Sequence, residues 1–324
     1  MFSMLLAATL QGAVALPPRD RVRLAEVMRV AELVRDRVWP GWSSTAMPIL
    51  LVTDSVEYLL GHDTPGAGFR RAGYDSLLQR MVWTRPRSFP PTLLATFPAV
   101  GGEPTIVVGS AERVGTSSTA WVLTLLHEHF HQMQYSQPDY YRGVDGLGLS
   151  RGDSTGRWML DYPFPYDSSR VQKAVHRMAR SLAGALTATS EDQAEAVRAL
   201  LADRERVRVA LAPADFRYLE FQLWQEGVPR YIELAAAQAA AELGEPGEAF
   251  RQLPDYESYG AVGDRARKKL QEELEDLSLG KERRVSFYPM GAAVALVLQR
   301  ARPDWKSAYF ERPFELTSLF FMEP

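Results

Sequence analysis

The chain of 324 residues contains no cysteine. This absence excludes disulfide bonds, thiolate metal ligands and cysteine nucleophiles. Histidine is also scarce, because the chain has only five. Three of the five fall between positions 127 and 131, so this short segment contains most of the imidazole groups that could bind a metal or transfer a proton.

The sequence also lacks an excess of charge of either sign and any long hydrophobic run. The formal net charge is −3, which gives no reason to expect a nucleic-acid partner. No apolar run is long enough to predict stable membrane insertion. With 46% hydrophobic and 24% charged residues, the composition is typical of a globular protein that can bury a sizeable core.

The first residues resemble an export signal. Residues 1–15 contain an apolar run that ends in Ala13-Val14-Ala15, the small-residue pattern of a signal-peptidase site. No lysine or arginine precedes the run. The pattern favours a cleaved segment and a periplasmic or extracellular protein. The alternative is an apolar segment that stays with the fold, which leaves a cytoplasmic location open.

The remaining pattern predicts an α+β fold, with a strand-rich part over residues 16–116 and a helical part over residues 117–324. A helix is expected over residues 20–38, where apolar residues recur at helical spacing. Four short β-type runs follow, and Gly101-Gly102 predicts a hairpin turn between the last two. The last of these runs, Thr105 to Ser110, is a candidate edge strand that could pair with an extended substrate.

Several signals mark the helices of the second part. Ser117 or Ser118 predicts the start of a helix that runs through Gln134, and the Ser190–Gln193 segment has capping-box spacing. Pro289 and Pro303 delimit the last clear helix. Between positions 137 and 168 lies a long connection rich in glycine, aspartate and tyrosine, which predicts the wall of a cleft.

His127 and His131 form the pattern H-E-x-x-H with Glu128 between them. Residues four apart project from the same face of a helix, so both imidazoles can bind one metal ion. This pattern is typical of zinc hydrolases, in which the glutamate accepts a proton from water. His129 points to the opposite face, and we expect it to be a hydrogen-bonded histidine of the core.

A catalytic zinc site needs a third protein ligand. Positions 134 and 137 hold glutamine rather than the glycine and histidine of the metzincin pattern, and no glutamate occurs between Glu128 and Glu191. The aspartates of the long connection are therefore candidates for the third ligand: Asp139, Asp145, Asp153 and Asp161.

A later segment supplies another candidate. Trp224, Glu226, Gly227, Tyr231 and Glu233 form the pattern W-x-E-G-x-x-x-Y-x-E, which resembles the second zinc-ligand helix of the gluzincin metallopeptidases, specifically their membrane-alanyl-aminopeptidase branch. The resemblance implies a zincin-like fold with the metal site in a cleft between the strand-bearing and helical parts. It also implies that Glu226 is the third zinc ligand.

The sequence departs from that family in two respects. The gap from His131 to Glu226 is far longer than in the aminopeptidases, so a helical insertion must intervene. Pro229 should kink the helix or begin a new one just past Glu226. The alternative for Glu226 is a surface carboxylate paired with Arg230.

Two further segments resemble parts of the same family. Tyr288, three residues before Gly291-Ala292, resembles the tyrosine that stabilises the oxyanion in those aminopeptidases; Tyr231 and Tyr259 are weaker candidates. Glu112 lies in a segment that only faintly resembles the one binding a free N-terminus, so exopeptidase activity is not predicted.

The sequence as a whole predicts a zinc metallopeptidase that acts on peptide or protein substrates. Zn²⁺ would be bound by His127, His131 and Glu226, with Glu128 as the general base and Tyr288 as the oxyanion donor. Two alternatives remain, a zincin-like domain that binds peptides or a partner without catalysis, and a metal-dependent hydrolase of other esters or amides.

Overall fold

The computed structural model describes residues 15–321. Residues 1–14, which contain most of the predicted export segment, and residues 322–324 lie outside this part of the chain.

The strands are β1 (Ile49–Val52), β2 (Val56–Leu60), β3 (Arg70–Asp75), β4 (Arg80–Pro86), β5 (Leu94–Val100) and β6 (Glu103–Gly109). The longer helices are α1 (Pro18–Val38), α3 (Ser118–Tyr135), α6 (Ser169–Thr187), α7 (Gln193–Ala210), α8 (Pro213–Gln222), α9 (Val228–Glu242), α11 (Tyr259–Glu275) and α13 (Phe287–Ala301). The short helices are α2 (Ala111–Val114), α4 (Tyr140–Gly146), α5 (Trp158–Asp161), α10 (Glu248–Arg251), α12 (Leu279–Glu282) and α14 (Trp305–Ala308).

The fold is α+β, as predicted, with one mixed sheet of six strands and many helices. The strand order is β3-β4-β2-β1-β6-β5, in which β1 and β6 are parallel and every other neighbouring pair is antiparallel. The predicted hairpin joins β5 to β6 through Gly101 and Gly102, whose φ values of 60° and 81° suit glycine.

The prediction of an edge strand at residues 105–110 is wrong. Strand β6 has β1 on one side and β5 on the other, and Ile106, Val107 and Val108 are fully buried. Three consecutive apolar residues are typical of a strand covered on both faces. Next to β6, the edge of the sheet is formed instead by β5, which has no partner beyond β6 among the described strands; β3 forms the opposite edge.

Helix α3 carries the histidines through the centre of the molecule. It begins where the sequence predicted, with the Ser117 hydroxyl accepting a hydrogen bond from the Ala120 backbone N–H. Fifteen of its 18 residues are buried. The helix contacts β5 and β6 of the sheet as well as helices α1 and α9, so its polar residues face defined partners rather than solvent.

The chain around Glu226 adopts a π-helical turn, Leu223–Gly227, between α8 and α9. Pro229 lies in the first turn of α9, as predicted. It has no backbone N–H and therefore cannot donate a hydrogen bond to a carbonyl group of the preceding turn. The carbonyls of Trp224 and Gln225 accept hydrogen bonds from the side chain of Gln134 instead, each at 3.2 Å. The π turn is thus stabilised by a side chain of the histidine-bearing helix α3.

Two glycines bring α13 against this π turn. A Cβ atom on Gly227 would lie 2.3 Å from the Cα of Gly291, and one on Gly291 would lie 2.5 Å from the carbonyl oxygen of Leu223. Any larger residue at either position would push the two segments apart. Because Gly227 follows Glu226 and Gly291 lies three residues after Tyr288, this close approach brings the two side chains to the same region.

The predicted capping box at Ser190 is wrong. Helix α7 begins at Gln193, and its cap residue Asp192 makes no side-chain hydrogen bond to the first turn. The Asp192 carboxylate instead accepts a hydrogen bond from the Thr189 hydroxyl at 2.7 Å, which stabilises the preceding loop.

Among residues 15–321, no helix has the length and the apolar character needed to cross a membrane.

Candidate metal centre

His127, His131 and Glu226 lie together, although 95 positions separate the second histidine from the glutamate. The Nε2 atoms of the two histidines are 3.2 Å apart, and Glu226 Oε2 is 3.6 Å from His131 Nε2. Ligands about 2.0–2.2 Å from one ion at tetrahedral angles are separated by roughly 3.3–3.6 Å. One ligand atom from each side chain lies within 4.8 Å of the other two, so these residues could hold a metal ion.

The other ring nitrogen of each histidine has an oxygen partner. Glu233 Oε1 lies 2.7 Å from His127 Nδ1, and Gln134 Oε1 lies 2.7 Å from His131 Nδ1. The Glu233 carboxylate can only accept, so the proton of His127 lies on Nδ1. At His131 the contact with Gln134 Oε1 is shorter than the 3.1 Å contact between Nδ1 and Gln225 Nε2, which favours the same tautomer and leaves Nε2 free as a ligand. These partners therefore fix the tautomer that metal binding needs.

Gln134 connects two parts of the site. Its oxygen accepts from His131, while its amide group donates to the carbonyls of the π turn and to the Tyr309 hydroxyl at 2.7 Å. The Tyr309 hydroxyl donates in turn to the Trp224 carbonyl at 2.8 Å. Through this buried network the orientation of His131 is coupled to the backbone that carries Glu226.

The carboxylate of Glu226 is held in its ionised form. Burial alone would raise its pKa, but a protonated His131 opposite Oε2, together with Arg284 and His127, lowers the pKa to about 2. Arg284 Nη1 lies 3.3 Å from Glu226 Oε1, the oxygen that does not face His131. Arg230, the partner expected for a surface carboxylate, pairs with Glu233 instead.

The same guanidinium nitrogen of Arg284 donates to the Tyr288 hydroxyl at 2.8 Å. The Tyr288 ring is nearly parallel to that of His127, with 6.4 Å between the ring centres. Burial and the charge of Glu226 raise the pKa of Tyr288 well above its ordinary value, so the phenol keeps its proton. The neutral phenol accepts a hydrogen bond from Arg284, and Glu226 lies within hydrogen-bonding reach of its O–H.

Glu128 lies in the same cleft as the three candidate ligands. The Thr96 hydroxyl of strand β5 is 2.7 Å from Glu128 Oε2 and thereby holds the carboxylate against the edge of the sheet. Glu128 as a residue is only 6% exposed, and this hydroxyl supplies a hydrogen bond to its buried carboxylate.

The cleft around these residues has a volume of about 900 Å³. It is bordered by residues 93–98 at the start of edge strand β5, by the long connection over residues 140–160, by the π turn and by the segment that carries Tyr288. The connection therefore does form one wall of the cleft, as its length and composition predicted.

The other sequence candidates lie elsewhere. His129 is fully buried on the opposite face of α3, with Nδ1 2.8 Å from Gln132, and burial lowers its pKa to about 3. Glu112 accepts two hydrogen bonds from the buried Arg23 and is absent from the cleft lining. The hydroxyls of Tyr231 and Tyr259 bond to Gln299 and Glu26, respectively, away from the cleft.

The loop aspartates do not join the metal group among the described residues. Asp139 pairs with Arg142, Asp161 pairs with Arg157, and Asp153 accepts hydrogen bonds from Thr155 and Trp158 within its own turn. These local bonds are the usual role of aspartate in loops.

Sequence reasoning missed several residues of the site. Tyr135 stacks against His131 with 5.9 Å between ring centres and lines the cleft. Its position four residues after His131 was a usable signal, because residues four apart share a helix face. Glu233 belonged to the quoted motif, but its hydrogen bond to His127 depends on how α9 packs against α3. The role of Arg284 had no sequence signal.

We expect Glu233→Ala to weaken zinc binding roughly 10–100-fold, the usual effect of removing the partner that orients a ligand histidine. Glu242→Ala, at an exposed position of the same helix, is the matched control and should leave zinc affinity unchanged. Competition with a chelator of known affinity measures both. Equal zinc affinity for the Glu233→Ala variant and the unaltered protein would show that Glu233 does not orient His127.

Comparison of the chain with protein-family models, curated proteins and solved structures gave no significant match. The interpretation of the cleft therefore depends on the geometry and chemistry of its own residues.

Proposed function

We propose that this protein is a zinc-dependent hydrolase of peptide bonds. The observation that carries the proposal is the convergence of both His Nε2 atoms and the Glu226 carboxylate beside Glu128 in one open cleft. Two imidazoles and one carboxylate form a ligand set of catalytic rather than structural zinc sites, since they leave a coordination position for water or substrate. The zincin-like architecture and the gluzincin resemblance are part of the same proposal.

The residues present fit a zinc ion. His127, His131 and Glu226 would hold it, and their outer partners Glu233, Gln134 and Arg284 would fix their orientation. A zinc ion in such a site supplies Lewis acidity that polarises a water molecule and the carbonyl group of the substrate.

Glu128 would act as the general base. Its carboxylate would accept a proton from the water as the water oxygen forms a bond to the carbonyl carbon. It would then pass that proton to the amide nitrogen as the C–N bond breaks and the amine leaves. The hydrogen bond from Thr96 would hold this carboxylate in position without removing its second oxygen from the cleft.

Tyr288 would stabilise the negative charge that develops on the substrate carbonyl oxygen. Its phenol accepts a hydrogen bond from Arg284, which polarises its own O–H and strengthens it as a donor. A donor aimed at a developing oxyanion in a partly buried site typically contributes a few kcal/mol to lowering the barrier.

Strand β5 favours a polypeptide over a small ester as the substrate. Successive side chains of a strand point to opposite faces, so a cleft that lay against one face would be lined by every second residue. Residues 93–98 border this cleft consecutively, which favours contact with the backbone edge of β5. An unpaired strand edge can bind an extended peptide through main-chain hydrogen bonds. Thr96 lies on this edge, so a bound peptide would pass close to Glu128.

Tyr288→Phe should reduce kcat roughly 10–1000-fold, with a smaller change in KM and with zinc retained, because the phenol acts mainly in the transition state. The matched control is Tyr231→Phe, which removes a hydroxyl that bonds to Gln299 outside the cleft. Steady-state kinetics on a cleaved peptide measures both variants. If Tyr288→Phe behaves like the control, Tyr288 does not stabilise the oxyanion.

The proposed function is tested by incubating the zinc-loaded full chain with an unbiased library of fluorescence-quenched peptides. We expect cleavage that a chelator abolishes and added zinc restores. A zinc-loaded protein that binds peptides from the library but cleaves none would instead be a binding domain. Cleavage of simple esters in the absence of any peptide cleavage would indicate the alternative hydrolase.

A further inference from the structure

Exposed apolar side chains are concentrated around the metal group. Nine large hydrophobic residues of the described chain are at least 36% exposed. Four of them border the cleft, although only 28 residues line it: Leu94, Tyr141, Leu160 and Val285. Scattered single apolar residues are normal on a protein surface, but a cluster at the mouth of a cleft indicates a binding function.

These side chains lie on both sides of the candidate metal ligands. Tyr141 stacks on Tyr135 with 6.4 Å between ring centres, and Tyr135 stacks on His131. Val285 belongs to the segment that leads to Tyr288, which lies beside His127. The apolar surface therefore extends from the His131 side of the site to the His127 side.

The cations of the cleft offer little to a charged side chain of a substrate, because each already has a carboxylate partner. Arg157 pairs with Asp161, Arg230 with Glu233, Lys269 with Glu273, and Arg284 with Glu226. A charged side chain of the substrate would compete with these partners, most strongly at the less exposed pairs of Arg230 and Arg284. The exposed apolar groups remain the available recognition surface.

We propose that the cleft selects unfolded polypeptide segments with large apolar side chains on both sides of the scissile bond, and cleaves them internally. Tyr141 binds the side chain on the His131 side, and Val285 binds the side chain on the His127 side. This inference rests on the proposed peptidase function. Internal cleavage agrees with the position of Glu112, which is bound to Arg23 rather than placed in the cleft to receive a free N-terminus.

The test uses four sets of nine-residue peptides with acetylated N-termini and amidated C-termini. The two central residues are apolar on both sides of one bond, apolar on only the N-terminal side, apolar on only the C-terminal side, or polar on both. We expect kcat/KM of the zinc-loaded protein to fall about 10-fold or more for each apolar residue that is lost. Blocked termini should not prevent cleavage.

Variants of the chain test which residues are responsible. Tyr141→Ser and Val285→Ser should each lower kcat/KM several-fold for peptides with an apolar residue on one side of the central bond. The side affected by Tyr141→Ser should be opposite to the side affected by Val285→Ser. Tyr74→Ser and Val209→Ser are matched controls, because these residues are 64% and 58% exposed, against 51% for Tyr141 and 60% for Val285, and do not line the cleft. All four side chains are exposed, so the melting temperature should stay nearly constant.

Equal cleavage of all four peptide sets, or cleft variants that behave like their controls, would overturn this inference while leaving the peptidase proposal intact. Cleavage of the same peptides only when their termini are free would overturn internal cleavage and leave the peptidase proposal intact. Absence of cleavage by the zinc-loaded protein with blocked and with free termini would overturn both.

Discussion

Glu128→Gln is expected to retain about one zinc ion per chain and to lose peptide hydrolysis by a factor of roughly 10²–10⁴, the range typical of a general base. Glutamine keeps the size and a hydrogen-bonding oxygen for the Thr96 hydroxyl but cannot accept a proton from water. Zinc content and kcat on the same peptide are measured for the variant and the unaltered protein.

The control for this substitution is Glu32→Gln, which changes a carboxylate that is 81% exposed on α1. It should leave both zinc content and hydrolysis unchanged. A Glu128→Gln protein that hydrolyses peptides as fast as the unaltered chain would exclude the proposed mechanism even with zinc bound. Loss of zinc in that variant would mean instead that Glu128 helps to organise the metal site.

The local part of the site could be predicted because helix geometry is local. The spacing of His127 and His131, together with a serine cap at the start of the helix, places both imidazoles on one face whatever the rest of the fold does. The same argument placed His129 on the opposite side, where it is buried against Trp42 with 5.2 Å between ring centres.

The distant part of the site depends on tertiary packing. Glu226 was predicted only through resemblance, and its place beside His131 depends on the π turn that Gln134 stabilises and on the contact between Gly227 and Gly291. Pro229 signalled an irregular helix but not its form. A glycine that permits close helix packing is indistinguishable in the sequence from one that ends a helix.

The sequence predicted four of the six strands, and it missed β2 and β3 because their patterns also depend on tertiary packing. Strand β2 carries Glu57, a fully buried carboxylate that contradicts an apolar strand pattern. It is satisfied by Arg85 at 2.6 Å and by the backbone N–H groups of Ser88 and Phe89. Those partners lie about 30 positions away, so only the folded sheet reveals why a charge is tolerated there. Strand β3 contains a bulge between Arg71 and Gly73 and has no buried residue, which hides its alternation.

His127→Ala and His131→Ala should each remove most of the bound zinc, and the double variant should bind essentially none. Each imidazole would supply a direct bond to the ion, so its loss should exceed the roughly 10–100-fold weakening expected for an orienting partner such as Glu233. Metal analysis of protein purified without added zinc gives the stoichiometry, and chelator competition gives the affinity.

Two other histidines provide controls, which show whether zinc is lost because a metal ligand is removed or because any histidine is removed. His129→Ala removes a neutral, fully buried ring and should lower the melting temperature by creating a cavity, yet leave the zinc stoichiometry near one. His176→Ala removes a ring of an exposed residue that bonds to the Leu277 carbonyl and should change neither property. Full zinc occupancy in the His127→Ala/His131→Ala double variant would remove the basis for a zinc hydrolase. Loss of zinc from folded His129→Ala protein would instead mean that the metal lies on the other face of α3.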